Sequence, residues 1–436
     1  MMLHLYRGAT VAAGPLIGLY LRRRRARGKE DPARFAERFG DPGRARPPGP
    51  LVWVHAASVG ESVSVLPLID RLLARRADLS ALITTGTVTS ARLMAERLPA
   101  RAVHQFVPID RPDAVARFLG HWRPDLALWT ESEFWPNLMT ETGRRGIPRV
   151  LVNARMSAGS FARWRRFPGL IAPLLAGFDL CLAQNEDEAA RLRALGARRV
   201  ETSGNLKAAA PPLPVEEAAL DAMRATIGAR PRWLAASTHP GEEEIIAAAH
   251  RAIAARRPDL LTIVAPRHPE RGPALAKLIA DAGLAVARRG AGEAITPETA
   301  VYVADTLGEL GLFYRLAGVA LVGGSLVPHG GHNPLEPARL DCALIHGPHM
   351  TNFRGDATAF AEAGAAEVVA DATALARAVA ALLDDPDERR RRAEAGARVA
   401  RAEARVLDRV EAALAPYVDA LDMAPRASAE AADARA

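Results

Sequence analysis

Residues 51–62 read LVWVHAASVGES, and this stretch decides the fold. Leu51 to Val54 is a continuous apolar run of leucine, valine and tryptophan. It shows no polar alternation, which suits a strand covered on both faces, as in a parallel sheet. The small residues Ala56, Ala57, Ser58 and Gly60 come next, and then Val63, Leu66, Leu68, Ile69 and Leu72 recur at helical spacing. A strand therefore passes through a tight turn into a helix. The turn carries one carboxylate, Glu61, with His55 just upstream.

The same unit repeats outward. Strand-like apolar runs lie at 51–54, 81–84, 103–107, 125–129, 149–153 and 178–183, with helical stretches such as 61–76, 88–97, 136–145 and 186–195 between them. This alternation predicts an α/β fold with a parallel sheet covered by helices. AAAPPLP at 208–214 breaks the series, because three prolines cannot continue a helix or a central strand. It reads as an interdomain linker. Beyond it, runs at 232–236, 260–265, 300–304, 319–323, 343–346 and 366–369 resume the alternation, and the charged stretch 386–415 predicts one or two long helices. The expected division is an N-terminal helix over 1–30, a first Rossmann-like domain over 31–210, a second over 211–423, and a disordered tail over 424–436. Two doubly wound sheets whose strands end at one cleft would point two sets of loops at a shared ligand.

Composition narrows the function. The chain has 436 residues, 49% of them hydrophobic, enough for two globular domains. Formal charge is +7 and pI is about 9.9. The cations are almost all Arg, and Lys29, Lys207 and Lys277 are the lysines. Since an Ala- and Arg-rich habit runs through the whole chain, the charge does not itself point to an acidic partner. With no zinc-ligand spacing and no aromatic-rich strand motif, nucleic-acid binding is not expected. Cys181 and Cys342 lie far apart in apolar runs. They read as buried small hydrophobes in a reducing compartment, not as metal ligands.

The first thirty residues differ from the rest. Gly8 to Leu21 is apolar, and Arg22 to Arg25 and Arg27 follow it. The run is short for a membrane span, and its charges come after it, unlike those of a cleaved signal. A span would leave the rest of the chain on the cytoplasmic side by the positive-inside rule. A helix lying in the membrane surface, or an amphipathic helix packed on the protein, fits the same residues.

Polar and Gly-rich turns fall just after the strands. In the second half these are STHPGEEE (237–244), PRHPER (266–271), DTLGEL (305–310), GGSLVPHGGHNPLEP (323–337) and HGPHMTNF (346–353). Ser237, Thr238 and His239 precede one helical stretch, and Gly330 to Asn333 precede another, so both predict anion-holding helix starts. Glu336 would either accept both hydroxyls of a ribose or serve as a first-turn helix acid. Five such loops at one sheet edge favour a nucleotide, and the absence of GxGxxG and P-loop signatures argues against a dinucleotide or ATP hydrolysis. In the first half, TESEFWPN (130–137) adds Glu131 and Glu133, NARMS follows at 153–157, and SGNLK (203–207) ends on Lys207. A carboxylate among small residues, such as Glu61, can take a proton from an attacking hydroxyl.

These motifs, HAASVGES, TESEFWPN, NARMS, SGNLK, PRHPER, DTLGEL and GGHNPLEP in order, resemble those of the 3-deoxy-D-manno-octulosonic acid (Kdo) transferases of lipopolysaccharide assembly. The resemblance runs from the N-terminal segment to about residue 410. It implies a GT-B glycosyltransferase with two Rossmann-like domains facing a cleft, acting at the cytoplasmic face of the inner membrane. It implies CMP-Kdo as donor substrate, a lipid A precursor as acceptor, and inverting transfer that needs no metal and no cofactor. It further implies Glu61 as catalytic base, and Glu131 and Lys207 as transition-state stabilisers. Pro266, Arg267, Gly308, Glu309, Leu310, Asn333, Pro334, Leu335 and Glu336 are implied as CMP contacts. Arg155, Arg163, Arg165 and Arg166 are candidates for the acceptor's phosphates. Two alternatives stay open on sequence: another GT-B enzyme using a UDP-sugar, either transferase or epimerase, and a membrane-tethered binding protein with a degenerate cleft.

Overall fold

The computed structural model describes residues 1–209 and 211–422. The chain forms two compact units, one holding Met1–Ala210 and the chain from Ala404, the other Pro211–Glu403. The expected tail over 424–436 lies outside the described residues.

The first unit is built on a seven-stranded sheet: β1 (Leu51–His55), β2 (Ser80–Thr85), β3 (Ala102–Phe106), β4 (Leu126–Thr130), β5 (Arg149–Ala154), β6 (Leu180–Ala183) and β7 (Val200–Thr202). Their order across the sheet is β3-β2-β1-β4-β5-β6-β7, and every pairing is parallel. All five residues of β1 and of β4 are buried, as apolar runs without alternation require. Trp53 and Trp129 from these neighbouring strands meet edge to face with centroids 4.7 Å apart, and Trp122 closes the core beside them.

The second unit repeats the plan with β8 (Arg232–Thr238), β9 (Leu261–Pro266), β10 (Val286–Arg288), β11 (Val301–Val303), β12 (Val319–Val322), β13 (Ala343–His346) and β14 (Ala366–Val368). The order is β10-β11-β9-β8-β12-β13-β14, again parallel throughout. In each sheet the order reverses beside the first strand, between β1 and β4 and between β8 and β12. Ligands of open α/β sheets bind outside the carboxyl ends of strands at such a reversal.

The expected C-terminal boundary needs correction. The charged stretch forms two helices, Pro386–Ala404 and Val406–Asp419, and the second belongs to the first unit. It packs on the helix Val59–Arg75. Arg71 pairs with Asp408 and Glu411, Arg75 reaches Asp419 at 2.7 Å, and Arg409 donates to the Ser203 carbonyl at 2.7 Å. The amphipathic pattern showed a helix there, but pattern alone does not say which unit its apolar face covers.

The N-terminal segment forms two helices, Met2–Ala12 and Gly14–Ala26. Among the described residues no helix is long and apolar enough to cross a membrane. The first helix is tied down by polar contacts: Tyr6 bonds to buried Asp110, and Asn137 donates to Thr10 Oγ1 at 2.9 Å. Asp110 also accepts the backbone N–H groups of Asn137 and Leu138, at 3.0 and 2.7 Å. Asn137, the last residue of TESEFWPN, is thus a structural clamp. The outward faces of these helices are apolar: Leu5, Val11, Leu16, Leu19 and Tyr20 are exposed, with exposed Arg22, Arg23 and Arg25 beyond them.

Cys181 and Cys342 are free and buried, and burial pushes both thiols up to about 12. Neither is expected to react with a disulfide reagent at pH 8 in the native protein, and both are expected to react after unfolding. A thiol count before and after denaturant checks this.

Candidate active site

Glu61 sits in the first turn of the helix Val59–Arg75, directly after β1. Ser58 caps that helix, its Oγ accepting the Glu61 N–H at 3.3 Å. The carboxylate is 7% exposed and held by three donors. Ala57 N–H and Thr130 Oγ1 donate to Oε2 at 3.1 and 2.8 Å, and Ser58 Oγ donates to Oε1 at 2.7 Å. Thr130 is the last residue of β4, so the two strands flanking the order reversal fix this carboxylate between them. His55, at the end of β1, is wholly buried, bonds Thr84 Oγ1 at 3.0 Å, and is pushed down to about 4 by burial. It is neutral at pH 7 and belongs to the core.

Glu131 follows β4 and Asn153 is the next-to-last residue of β5. Both take left-handed backbone, with φ of 51° and 54°. Non-glycine residues adopt this conformation at a cost, and such positions gather at functional sites. The consequence is visible in the contacts. Asn153 Oδ1 accepts the Leu206 N–H at 2.9 Å, and Asn205 Oδ1 accepts the Lys207 N–H at 3.0 Å. The SGNLK turn so held brings Lys207 Nζ to 2.7 Å from Glu131 Oε1. Three motifs far apart in sequence therefore assemble one ion pair, 38% exposed on the lysine side. Glu133 stands nearby, accepting from Trp135 Nε1 at 3.2 Å. Burial pushes its carboxyl up, and the charges of Glu61 and then Glu131 add to this. The structure thus gathers Glu61, Glu131, Glu133 and Lys207 at the carboxyl edge of the first sheet. Arg155, Arg163, Arg165 and Arg166 are all exposed on the segment after β5.

The second unit's loops meet at the carboxyl edge of its own sheet. Glu242 is fully buried and accepts four backbone N–H groups. His239 and Gly324 donate to Oε2 at 2.9 and 2.7 Å, and Ser325 and Leu326 donate to Oε1, each at 3.0 Å. One carboxylate thereby locks the loop after β8 to the loop after β12. This corrects the expected anion site at 237–239. The helix Glu242–Ala254 has three acids in its first turn, and one of them already occupies the position an anion would take. The second expected helix start is also different, because the helix after GGHN is a single turn, Leu335–Ala338. It is too short to carry a helix dipole.

The residues implied as nucleotide contacts are placed as follows. Pro266 ends β9 and is buried, while Arg267 is exposed. The charge of Arg267 is felt at His332, His239 and Glu336. Asn333 Oδ1 accepts the Leu335 N–H at 3.0 Å and its Nδ2 lies 3.3 Å from Glu336 Oε1. Pro334 precedes that turn. Burial pushes the Glu336 carboxyl up, and Asn333, Arg339 and Arg267 oppose the shift. Glu309 is engaged by Arg289 at 2.6 Å and by Thr306, and the Arg289 guanidinium holds its carboxyl down. Gly308 is exposed with φ of 85°, and Leu310 opens the helix Leu310–Ala317. PRHPER, DTLGEL and NPLE are so arrayed along one sheet edge, after β9, β11 and β12.

The sequence reading missed one group here. His239, His329 and His332 come together, with one ligand atom of each within 4.8 Å of the others. His239 Nε2 lies 2.8 Å from His332 Nε2, and His239 and His329 stack at 3.7 Å. The signal was the H-x-x-H of residues 329–332, but its partner lies ninety residues upstream, on another loop. Burial pushes His239 and His332 down to about 4, so both are neutral at pH 7.

Residues 33–210 match the family described as 3-deoxy-D-manno-octulosonic-acid transferase (kdotransferase). A probable 3-deoxy-D-manno-octulosonic acid transferase of Arabidopsis thaliana is 38% identical over 88% of this chain and 88% of its own. That of Haemophilus influenzae is 37% identical over 88% of this chain and 92% of its own. The chain belongs to the 3-deoxy-D-manno-octulosonic acid transferases. It is accordingly a glycosyltransferase, with the GT-B fold expected from its motifs. A glycosyltransferase of Rickettsia africae covers 85% of this chain and 99% of its own with a TM-score of 0.59, at 10% identity, and shares the fold. The edge of the first sheet thus carries carboxylates and a lysine, and the edge of the second carries the PRHPER, DTLGEL and NPLE loops.

Lys207→Ala is expected to lower turnover by roughly two to three powers of ten while thermal stability changes little, because a half-exposed ion pair adds little to folding and an aimed cation adds much to a transition state. Rate and melting measurements on the same preparation check this.

Proposed function

We infer that the protein transfers Kdo from CMP-Kdo to a sugar hydroxyl of a lipid A precursor, with inversion and without a catalytic metal. The observation that carries this reading is the Glu61 carboxylate, fixed by three donors at the order reversal of the first sheet, with the Glu131–Lys207 pair on the adjoining strand end. The family's relatives are named for Kdo transfer, and the motif resemblance supplies the donor and the acceptor class.

The chemistry follows from the residues. A sugar hydroxyl is a weak nucleophile, so Glu61 takes its proton as the oxygen attacks the anomeric carbon. Attack opposite the leaving group inverts that carbon. The bond to the CMP phosphate breaks, and the phosphate gains charge. Lys207 is the cation assigned to that charge, in place of a metal. Glu336, whose carboxyl lies beside Asn333, is assigned to the ribose hydroxyls.

The acceptor's acyl chains call for a membrane surface. The exposed Leu5, Val11, Leu16, Leu19 and Tyr20, followed by exposed arginines, support an N-terminal segment that lies in the inner membrane's cytoplasmic face, with the arginines on anionic headgroups. Exposed Phe167 and the arginines after β5 extend that surface toward the acceptor's phosphates.

Donor choice is tested by titrating the purified full chain with CMP and with UDP. Binding of CMP at least tenfold tighter than UDP is expected. Equal or tighter binding of UDP would move the UDP-sugar reading ahead.

A further inference from the structure

We propose that His239, His329 and His332 form a binding site for a transition-metal ion of the zinc class. Among the described residues this is the group whose His, Cys and carboxylate ligand atoms converge closely enough to hold an ion, and all three of its members are imidazoles. Imidazole nitrogen suits zinc, copper and nickel, whereas magnesium and calcium take oxygen ligands.

The geometry is close to what such an ion needs. Zn–N bonds of about 2.0–2.1 Å place tetrahedral nitrogens roughly 3.4 Å apart. The three ligand atoms lie within 4.8 Å of one another, and His239 Nε2 and His332 Nε2 are 2.8 Å apart in rings tilted by only 5°. At that distance one ring must supply a proton and the other a lone pair. An ion takes that proton's place when the donating ring shifts its N–H to Nδ1, so no charge is lost. His329 is exposed, and its ring stacks on that of His239.

The scaffold behind the imidazoles is rigid. Glu242 binds the His239, Gly324, Ser325 and Leu326 N–H groups. The Gly331 N–H donates to Gly324 O at 2.7 Å, and the His332 N–H to Gly323 O at 3.2 Å. Gly324, with φ of 65°, lies under the histidine pair, and a Cβ there would come within 3.2 Å of His332 and 3.4 Å of His239. Two arginines and the His268 ring face the cluster. Arg271 is neutralised by Glu243 at 2.9 Å, and Arg267 is exposed to solvent. Three protein ligands leave a fourth position open for water or an anionic oxygen.

The test is titration of the untagged full chain in detergent with Co²⁺, followed by its visible absorption, and with Zn²⁺ in competition. One ion per chain is expected, with Zn²⁺ displacing Co²⁺. Loss of an outer-shell partner alone weakens such sites about 10–100-fold, so His329→Ala is expected to weaken binding by at least roughly tenfold. His332→Asn is expected to do the same, and His4→Ala, on the exposed N-terminal helix, to do nothing. Melting temperatures establish that each variant is folded. Absence of one-to-one binding, or binding equal in wild type, His329→Ala and His332→Asn, would overturn the proposal.

Discussion

Glu61→Gln is expected to lower turnover by roughly two to four powers of ten while leaving CMP binding and melting temperature near those of the wild type. The amide keeps the shape of the side chain. Its oxygen can still accept from Ala57 N–H and Thr130 Oγ1, and its nitrogen can donate to Ser58 Oγ, so every existing contact has a counterpart. What the amide cannot do is take a proton from the acceptor hydroxyl. The loss is thus chemical and not structural, and it separates a base from a helix-start carboxylate, whose replacement would change stability and leave the rate alone. Steady-state rates with saturating acceptor, beside CMP titrations, check it. A Glu61→Gln enzyme with near-wild-type turnover would shift the base to Glu133, whose carboxyl is already pushed up by burial and by its two acidic neighbours.

Glu242→Ala carries the second large effect, on stability and donor binding together. The side chain is fully buried, and its two oxygens take all four N–H groups that join the loops after β8 and β12. Each buried N–H left without a partner costs about 1–3 kcal/mol, and water entering the gap relieves part of this. A net destabilisation on the order of 4 kcal/mol is expected, with CMP binding lost because the loops no longer hold their shape. Glu242→Gln is expected to fall between, since its NH₂ faces N–H donors on one side. Thermal melts of both variants, with CMP titration at a temperature where each is folded, give the order wild type, Gln, Ala.

Much of this architecture was legible in the chain. LVWV into HAASVGES shows a buried strand, a small-residue turn and a helix, and those become β1, its turn and Val59–Arg75. The same logic located the loops after β4, β8, β9, β11 and β12. β7 and β10 escaped, because each is a three-residue edge strand with at most one buried residue and no apolar run to betray it. The docking of Val406–Asp419 on the first unit escaped too, since periodicity gives a helix its apolar face but not that face's partner.

At the site, residue type and position after a strand were readable, and partnership was not. Glu61, Glu131 and Lys207 could be singled out from their motifs, but the 2.7 Å pair between the last two depends on two left-handed residues that no propensity announces. The reverse happened at 237–239, where a helix start read as an anion site already holds its own buried carboxylate. The histidine cluster shows why such errors arise. Its members sit on two loops that only the fold brings together, so spacing along the chain carries half the information.

The most direct measurement of the central claim is a transfer reaction resolved by mass. Purified full-length protein is given CMP-Kdo, generated in place because it is labile, and a tetraacylated lipid A precursor. The expected result is a product heavier than the acceptor by one or more Kdo residues, appearing with CMP release and absent when UDP-sugars replace the donor. A folded, CMP-binding protein that leaves the acceptor mass unchanged would contradict the account.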